Sequence, residues 1–257
     1  MNIPHETLMQ KFRDVGLSTI ADNLETFLAN QARSDATLVQ TLSAMLDLEI
    51  EPRRVRQAQA RLRMARVPEV KRLEDFDLSW LKGGVTSKHL AELGSLSFIE
   101  RKDNILLMGE SGLGKTHIAL ALAYKACWEG YTAYVTSCTR LMEFLKSAKH
   151  TNRLQHKLSW LRKPSVLVID EVGYDTLSPE EANLLFQVIS VRYEHSSVII
   201  TTNKPFGKWA EVMSDEAIAT ATLDRLLHHA IILSLKGDSY RMKDRLPVGA
   251  VGFDLSA

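Results

Sequence analysis

Hydrophobic positions in the first 65 residues recur at helical spacing. Leu8, Phe12 and Val15, then Ile20, Leu24, Phe27 and Leu28, fall mostly at three- and four-residue steps on either side of Gly16, which predicts a helical hairpin from His5 to about Ala32. Leu38, Leu42, Met45 and Leu46 continue the pattern. Asp35 is the candidate cap of this further helix, and Pro52 either kinks it or opens the next one. Beyond Pro52 the apolar seam narrows to Val55, Ala58, Leu62 and Ala65, and arginines fill most of the remaining circumference. Pro68 closes that element, and Leu73 to Gly84 reads as a linker.

From about Lys88 the texture changes to short apolar runs alternating with helical patterns. Asn104 to Met108, Thr132 to Thr136, Ser165 to Ile169, Ser197 to Thr201 and Ala230 to Leu235 each read as a strand buried on both faces, as in a parallel sheet. Two helical segments fit between the second and third runs, about Thr139 to Lys149 and Asn152 to Leu161. The predicted fold class is α/β: a parallel five-stranded sheet wound with helices, preceded by a small all-helical domain, with the boundary between residues 72 and 73.

Composition narrows the class. Of 257 residues, 45% are hydrophobic and 25% charged, which excludes collagen-like, disordered and disulfide-built chains. The most apolar stretch, Ile118 to Cys127, contains Tyr124 and Lys125 and is far short of the roughly 18 residues of a membrane helix. No membrane partner is expected. Met1 to Gln10 carries no apolar run, so no secretory signal is expected. Cys127 and Cys138 are spaced unlike a metal or redox motif, and a reduced, cytoplasmic protein is the economical reading. Net charge is +1 overall, but −5 over residues 1–52 and +7 over residues 53–72. Charge so segregated predicts two different partner surfaces.

Gly109, Glu110, Ser111, Gly112, Leu113, Gly114, Lys115 and Thr116 satisfy the phosphate-loop pattern. Glycines let the backbone curl so that its N–H groups face phosphate oxygens, and the helix beginning near His117 presents its positive end to the same anion. Lys115 is placed to reach the β and γ phosphates of ATP, and the Thr116 hydroxyl to ligate Mg²⁺. The apolar strand Ser165 to Ile169 ends in Asp170 and Glu171; the first carboxylate is the candidate Mg²⁺ holder and the second the candidate to polarise water. Asn203, at the polar tip of another apolar strand, either orients that water or is a turn residue before Lys204-Pro205. Arg225, before the last strand, and Arg241, after it, are surface ion-pair residues or stabilise charge on the γ-phosphate, in the first case across a subunit contact. No second cluster at metal-ligand spacing stands beside His117, His228 or His229, so zinc is not expected.

With these residues in place, the chain resembles the AAA+ ATPases of the initiator and helicase-loader clade, and specifically the IstB-family transposition helpers. The resemblance runs from the helical start through the phosphate loop and His117, Val-Ile-Asp170-Glu-Val-Gly-Tyr174, Thr202-Asn-Lys-Pro-Phe206, Asp224-Arg-Leu-Leu-His-His229 and Ser239-Tyr-Arg241. It implies a P-loop AAA+ core in which Lys115 and Thr116 carry the Walker A role, Asp170 and Glu171 Walker B, Asn203 sensor 1, Arg225 the arginine finger and Arg241 sensor 2. Only Met242 to Ala257 follow Arg241, too few for the helical lid of many relatives. It also implies a homo-oligomer with ATP at subunit junctions, acting on DNA with a cognate transposase. In that clade an extra helix between the second and third strands faces nucleic acid, which makes Lys146, Lys149 and Arg153 candidate DNA contacts.

The arginine helix, with Arg53, Arg54, Arg56, Arg61, Arg63 and Arg66, has three readings. It contacts duplex phosphates without sequence preference, docks on an acidic surface, or is a solvated face. No aromatic residues interleave with the arginines, which favours double-stranded over single-stranded DNA. The acidic first 52 residues are the candidate docking surface for transposase or for self-assembly. The alternative function is a helicase loader gripping a replicative helicase through its N-terminus; a third is a nucleotide-gated DNA scaffold with negligible turnover.

Overall fold

The computed structural model describes residues 4–31 and 35–240, which divide after Ala60 into two compact units. In the first, α1 (His5–Asp14) and α2 (Ser18–Gln31) form the predicted hairpin, turning at Gly16 with a positive φ of 76°. Ile20, Ala21 and Leu24 are its buried face. The next helix, α3 (Leu38–Ala65), runs unbroken through Pro52 and across the unit boundary, where the sequence suggests a kink or a new start. The helix begins beside Thr37, not Asp35: the Thr37 hydroxyl accepts the Gln40 amide at 3.3 Å and the Gln40 side chain accepts the Thr37 amide at 2.8 Å.

Glu49, on α3 just before Pro52, is buried and holds the unit together. Its Oε2 accepts the Thr19 and Ile20 amides at 2.7 and 3.2 Å, completing the start of α2, while Oε1 accepts Arg53 Nε at 2.8 Å. The ion pair spans the turn from which Pro52 has removed a backbone donor. Burial alone would raise the Glu49 pKa, but the Arg53 guanidinium and the two amides outweigh it and hold the carboxyl below its ordinary value.

The second unit opens with the last turns of α3, which Arg66 ends in a left-handed conformation. A short 3₁₀ turn (Leu78–Trp80) leads into β1 (Leu81–Gly83), then α4 (Ser87–Gly94) and α5 (Ser97–Arg101). The α/β core follows: β2 (Asn104–Met108), α6 (Lys115–Trp128), β3 (Ala133–Ser137), α7 (Cys138–His150), α8 (Leu154–Leu161), β4 (Val166–Val172), α9 (Pro179–Arg192) and β5 (Ser197–Thr202). Then come α10 (Trp209–Met213), α11 (Glu216–Leu227), β6 (Ala230–Ser234) and β7 (Lys236–Gly237). Strands order as β3-β4-β5-β2-β6, all parallel. Alternate residues of each strand feed opposite faces: Ile105 and Leu107 pack with α6, and Leu106 packs with the helices of the other face. The stretch read as a linker is instead partly ordered, since β1 pairs antiparallel with β7 in a separate two-stranded sheet.

Two buried polar side chains stitch the core. Asn104 Oδ1 accepts the Val198 amide at 3.0 Å, and its Nδ2 donates to the Leu226 carbonyl at 3.1 Å. Arg192, fully buried, donates to the carbonyls of Leu161, Pro164 and Ser197 at 2.5, 3.0 and 2.8 Å. It joins the end of α8 to the entries of β4 and β5. Burial pushes its pKa down to about 9, so the guanidinium stays charged at neutral pH. Cys127 and Cys138 are buried too, and burial raises their thiols to about 11 and 12, which makes them packing residues. Among the described residues no helix is long and apolar enough to cross a membrane.

Replacing Arg192 by Met fills similar space but leaves three carbonyls without a donor, and the loss is expected to be about 3 kcal/mol or more. Urea unfolding of Arg192→Met against wild type reads it directly. A loss below 1 kcal/mol would mean that water replaces the guanidinium at these carbonyls.

Candidate nucleotide site

The parallel register carries the ends of β2, β4 and β5 to one edge of the sheet, where open α/β folds bind ligands. Between β2 and α6, residues 109–114 curl into a loop with Gly109, Gly112 and Gly114 at φ of 145°, 86° and 87°. Gly114 is required twice over: it takes a left-handed conformation, and a Cβ there would lie 2.4 Å from the Phe76 ring. Lys115 Nζ turns back over the loop and donates to the Gly109 and Glu110 carbonyls at 2.7 and 2.6 Å.

Asp170 lies behind the loop. Its Oδ1 accepts the Thr116 hydroxyl at 2.9 Å and the Thr201 hydroxyl at 2.5 Å. Thr201 in turn accepts the Glu171 amide at 2.9 Å. The pairing of β4 with β5 shifts register between Ile169 and Val172, and Glu171 adopts a left-handed φ of 62° within that irregularity. The kink turns Glu171 out of the strand alternation to line the cavity. Thr116 and Asp170 present hard oxygen donors side by side, a set that fits Mg²⁺.

The cavity has a volume of about 730 Å³. Ser111, Leu113, Lys115, Thr116 and His117 line it from the loop side, Glu171 and Asn203 from the strand ends, and Phe76, Trp80 and Tyr240 from outside the core. Gly112 and Gly114 also line it, whereas Gly109 and Glu110 lie outside the lining and hold Lys115 through their carbonyls. His117 Nε2 donates to the Arg72 carbonyl at 2.8 Å and its ring packs edge-on to Phe76 at 5.3 Å. Trp80 and Tyr240 form a second edge-on pair at 5.8 Å, and the Tyr240 amide donates to the Gly112 carbonyl at 3.0 Å. The β1–β7 pairing and the 2.9 Å Lys82–Asp238 ion pair hold these walls together. Phe76, Trp80, Tyr240 and Thr201 are site residues that motif reading missed.

Other predicted residues lie elsewhere. Arg225 sits on α11, its guanidinium 4.7 Å from the Phe186 ring centroid and donating to the Ala221 carbonyl at 3.1 Å. The following strand starts opposite Asn104, so Arg225 belongs to the amino-terminal edge of the sheet, away from the phosphate loop. Arg241 lies outside the described residues. Among the described residues no arginine lines the cavity. Lys146 and Lys149 pair with Glu181 and Glu180 at 3.0 and 2.7 Å; the Glu181 contact raises the Lys146 pKa. Arg153 is exposed at the start of α8. On α3, Arg53 is drawn to Glu49 and the Gly16 carbonyl, Arg61 donates to the Cys127 carbonyl at 3.4 Å, and Arg66, just beyond the helix, stands 5.7 Å over the Tyr134 ring. Arg54, Arg56 and Arg63 are exposed.

Comparison with known proteins agrees with this geometry. The chain is 38% identical over 246 residues to an ATP-binding protein of insertion sequence IS21 from Pseudomonas aeruginosa, covering 96% of this chain and 91% of the other. It is 43% identical over 204 residues to an ATP-binding protein of insertion sequence IS5376 from Geobacillus stearothermophilus, covering 79% and 81%. Its fold is similar to the crystal structures of the DnaC helicase loader (TM-score 0.53, 20% identity, 64% of this chain and 96% of that one) and of DnaI (0.52, 17%, 70% and 93%). The family model described as IstB-like ATP binding protein matches residues 10–247, and the chain belongs to that family as an ATPase of the P-loop type.

Proposed function

We propose that the chain is an ATP-dependent, sequence-tolerant duplex-DNA-binding ATPase that assembles on target DNA with ATP at the junctions between copies, and recruits and stimulates a transposase. One observation supports the assembly: the cavity gathers Lys115, Thr116 and Glu171 at the carboxyl ends of the strands, while Arg225 is half-buried on α11 at the opposite edge of the sheet, packed on Phe186. In this reading a neighbouring copy presents its Arg225 to the γ-phosphate held in the cavity. In this reading Thr116 and Asp170 hold Mg²⁺, which neutralises charge developing on the phosphates. Glu171 polarises the attacking water and Asn203 orients it. The insertion-sequence relatives and the +7 segment support DNA and a transposase as partners. Hydrolysis resets the complex.

Fluorescence anisotropy with labelled duplex and single-stranded DNA of unrelated sequence tests the DNA reading. Duplex binding that needs ATP, and vanishes in Lys115→Ala, is expected. Preference for single strands, or no DNA binding in any nucleotide state, overturns it in favour of a helicase or another protein partner. Substituting Arg56 and Arg63 by Ala should weaken binding to all duplexes alike and lower the slope of log K against log salt by about 2; an unchanged slope removes that face from the DNA interface. Arg225→Ala and Glu171→Gln should each bind ATP yet hydrolyse almost none. Mixed together they should recover activity, since some junctions then pair an intact Glu171 with an intact Arg225. An inactive mixture would place Arg225 outside the junction.

A further inference from the structure

The amino-terminal edge of the sheet holds a side-chain cluster unconnected with the nucleotide cavity. Glu194, in the turn between α9 and β5, meets His228 and His229, in the turn between α11 and β6, with one potential ligand atom from each within 4.8 Å of the others. The two histidines are neighbours in sequence, but the carboxylate arrives only through the fold. All three side chains are exposed, so water can complete a coordination shell. The backbone beneath them is fixed: the His229 carbonyl accepts the Asn104 amide at 2.7 Å, and the His228 amide donates to Asp224 at 3.1 Å. The Tyr193 hydroxyl lies 2.8 Å from His228 Nδ1.

We infer that Glu194, His228 and His229 form a binding site for a divalent metal of the zinc class. Two imidazoles and one carboxylate are a ligand set zinc takes with water in the fourth position, and a poor one for Mg²⁺ or Ca²⁺, which prefer oxygen. Ligand atoms around a tetrahedral zinc stand about 3.4 Å apart, so rotations of exposed side chains close the remaining distance. Nδ1–H of His228 donating to the Tyr193 hydroxyl leaves Nε2 as the ligand and fixes its tautomer, as outer partners of metal-bound histidines do. A metal here ties the α9–β5 turn to the end of α11, one turn beyond Arg225, whose guanidinium packs on Phe186 of α9.

The test uses the full chain without an affinity tag, stripped with chelator and free of nucleotide and Mg²⁺, titrated with Co²⁺ and then Zn²⁺. One equivalent of Co²⁺ should saturate a visible absorption band typical of four-coordination, and Zn²⁺ should abolish it. Glu194→Gln and the double variant His228→Ala with His229→Ala should each weaken binding by at least 10-fold, and Tyr193→Phe by about 10-fold. ATP binding at Lys115 serves as the control for folding, and Glu194→Gln, a surface change, keeps the test open where the double variant does not fold. Wild-type affinity no greater than that of Glu194→Gln or of the double variant overturns the site, as does a wild type that gives only weak, unsaturable binding. None of these outcomes depends on the DNA or transposase reading.

Discussion

The carboxylate of Asp170 is where the nucleotide edge of this protein is tied together. It takes hydroxyl donors from Thr116, at the start of α6, and from Thr201, near the end of β5, so two neighbouring parallel strands and the first turn of a helix meet at one oxygen. The parallel arrangement makes this possible, because it sends every strand's carboxyl end to the same side. The register irregularity immediately beyond Asp170 follows from the same need. Regular alternation would send residues 170 and 171 to opposite faces of the sheet, whereas the left-handed turn at Glu171, secured by Thr201, brings Glu171 to the cavity while Asp170 stays behind the loop on the Thr116 and Thr201 hydroxyls. Strain at that position is the local cost of turning Glu171 to the cavity.

The opposite edge is built on different terms. There the strands begin, and Asn104 and Arg192 satisfy the carbonyls and amides that helices and strands leave unpaired at their junctions. A buried arginine without a carboxylate partner is unusual, but carbonyl oxygens from three segments share its charge and its fork spans them at once. This rigid floor fixes the turns that carry Glu194 and His228 and the helix that carries Arg225. Chemistry at either edge therefore rests on polar contacts buried within the sheet.

Much of this was legible in sequence, for a physical reason. Strands buried on both faces are unbroken apolar runs, and all five strands of the main sheet lie within a few residues of their predicted spans. The phosphate loop and the Asp170–Glu171 pair were legible because their chemistry is local. The walls of the cavity were not. β1 and β7 are too short to carry a period, and their pairing joins residues more than 150 positions apart, so Leu73 to Gly84 looked like a linker. Thr201 looked like one polar residue at the tip of an apolar strand; its role exists only because β4 lies beside it. Pro52 left a kink or a new helix open, and the continuous α3 removes the second. A local breaker was overridden by Glu49, which binds the start of α2 and Arg53 on either side of it.

Charge counting says nothing of which cations the fold already engages. Of the arginines on α3 and just beyond it, Arg53, Arg61 and Arg66 are engaged by a carboxylate, a carbonyl and an aromatic face, and Lys146 and Lys149 of α7 are engaged by the acidic start of α9. Each such contact reduces the freedom of a cation to follow a phosphate, although exposed pairs of this kind are worth little and exchange readily. The +7 of residues 53–72 is therefore an upper bound on any electrostatic footprint. Arg56 and Arg63, exposed and two helical turns apart, are the part of it best placed to meet a polyanion. A footprint that narrow favours binding that several copies share over tight binding by one, because counterion release grows with the number of phosphates neutralised. In the proposed assembly, weak contacts repeated from copy to copy would make DNA binding as dependent on ATP as the assembly itself.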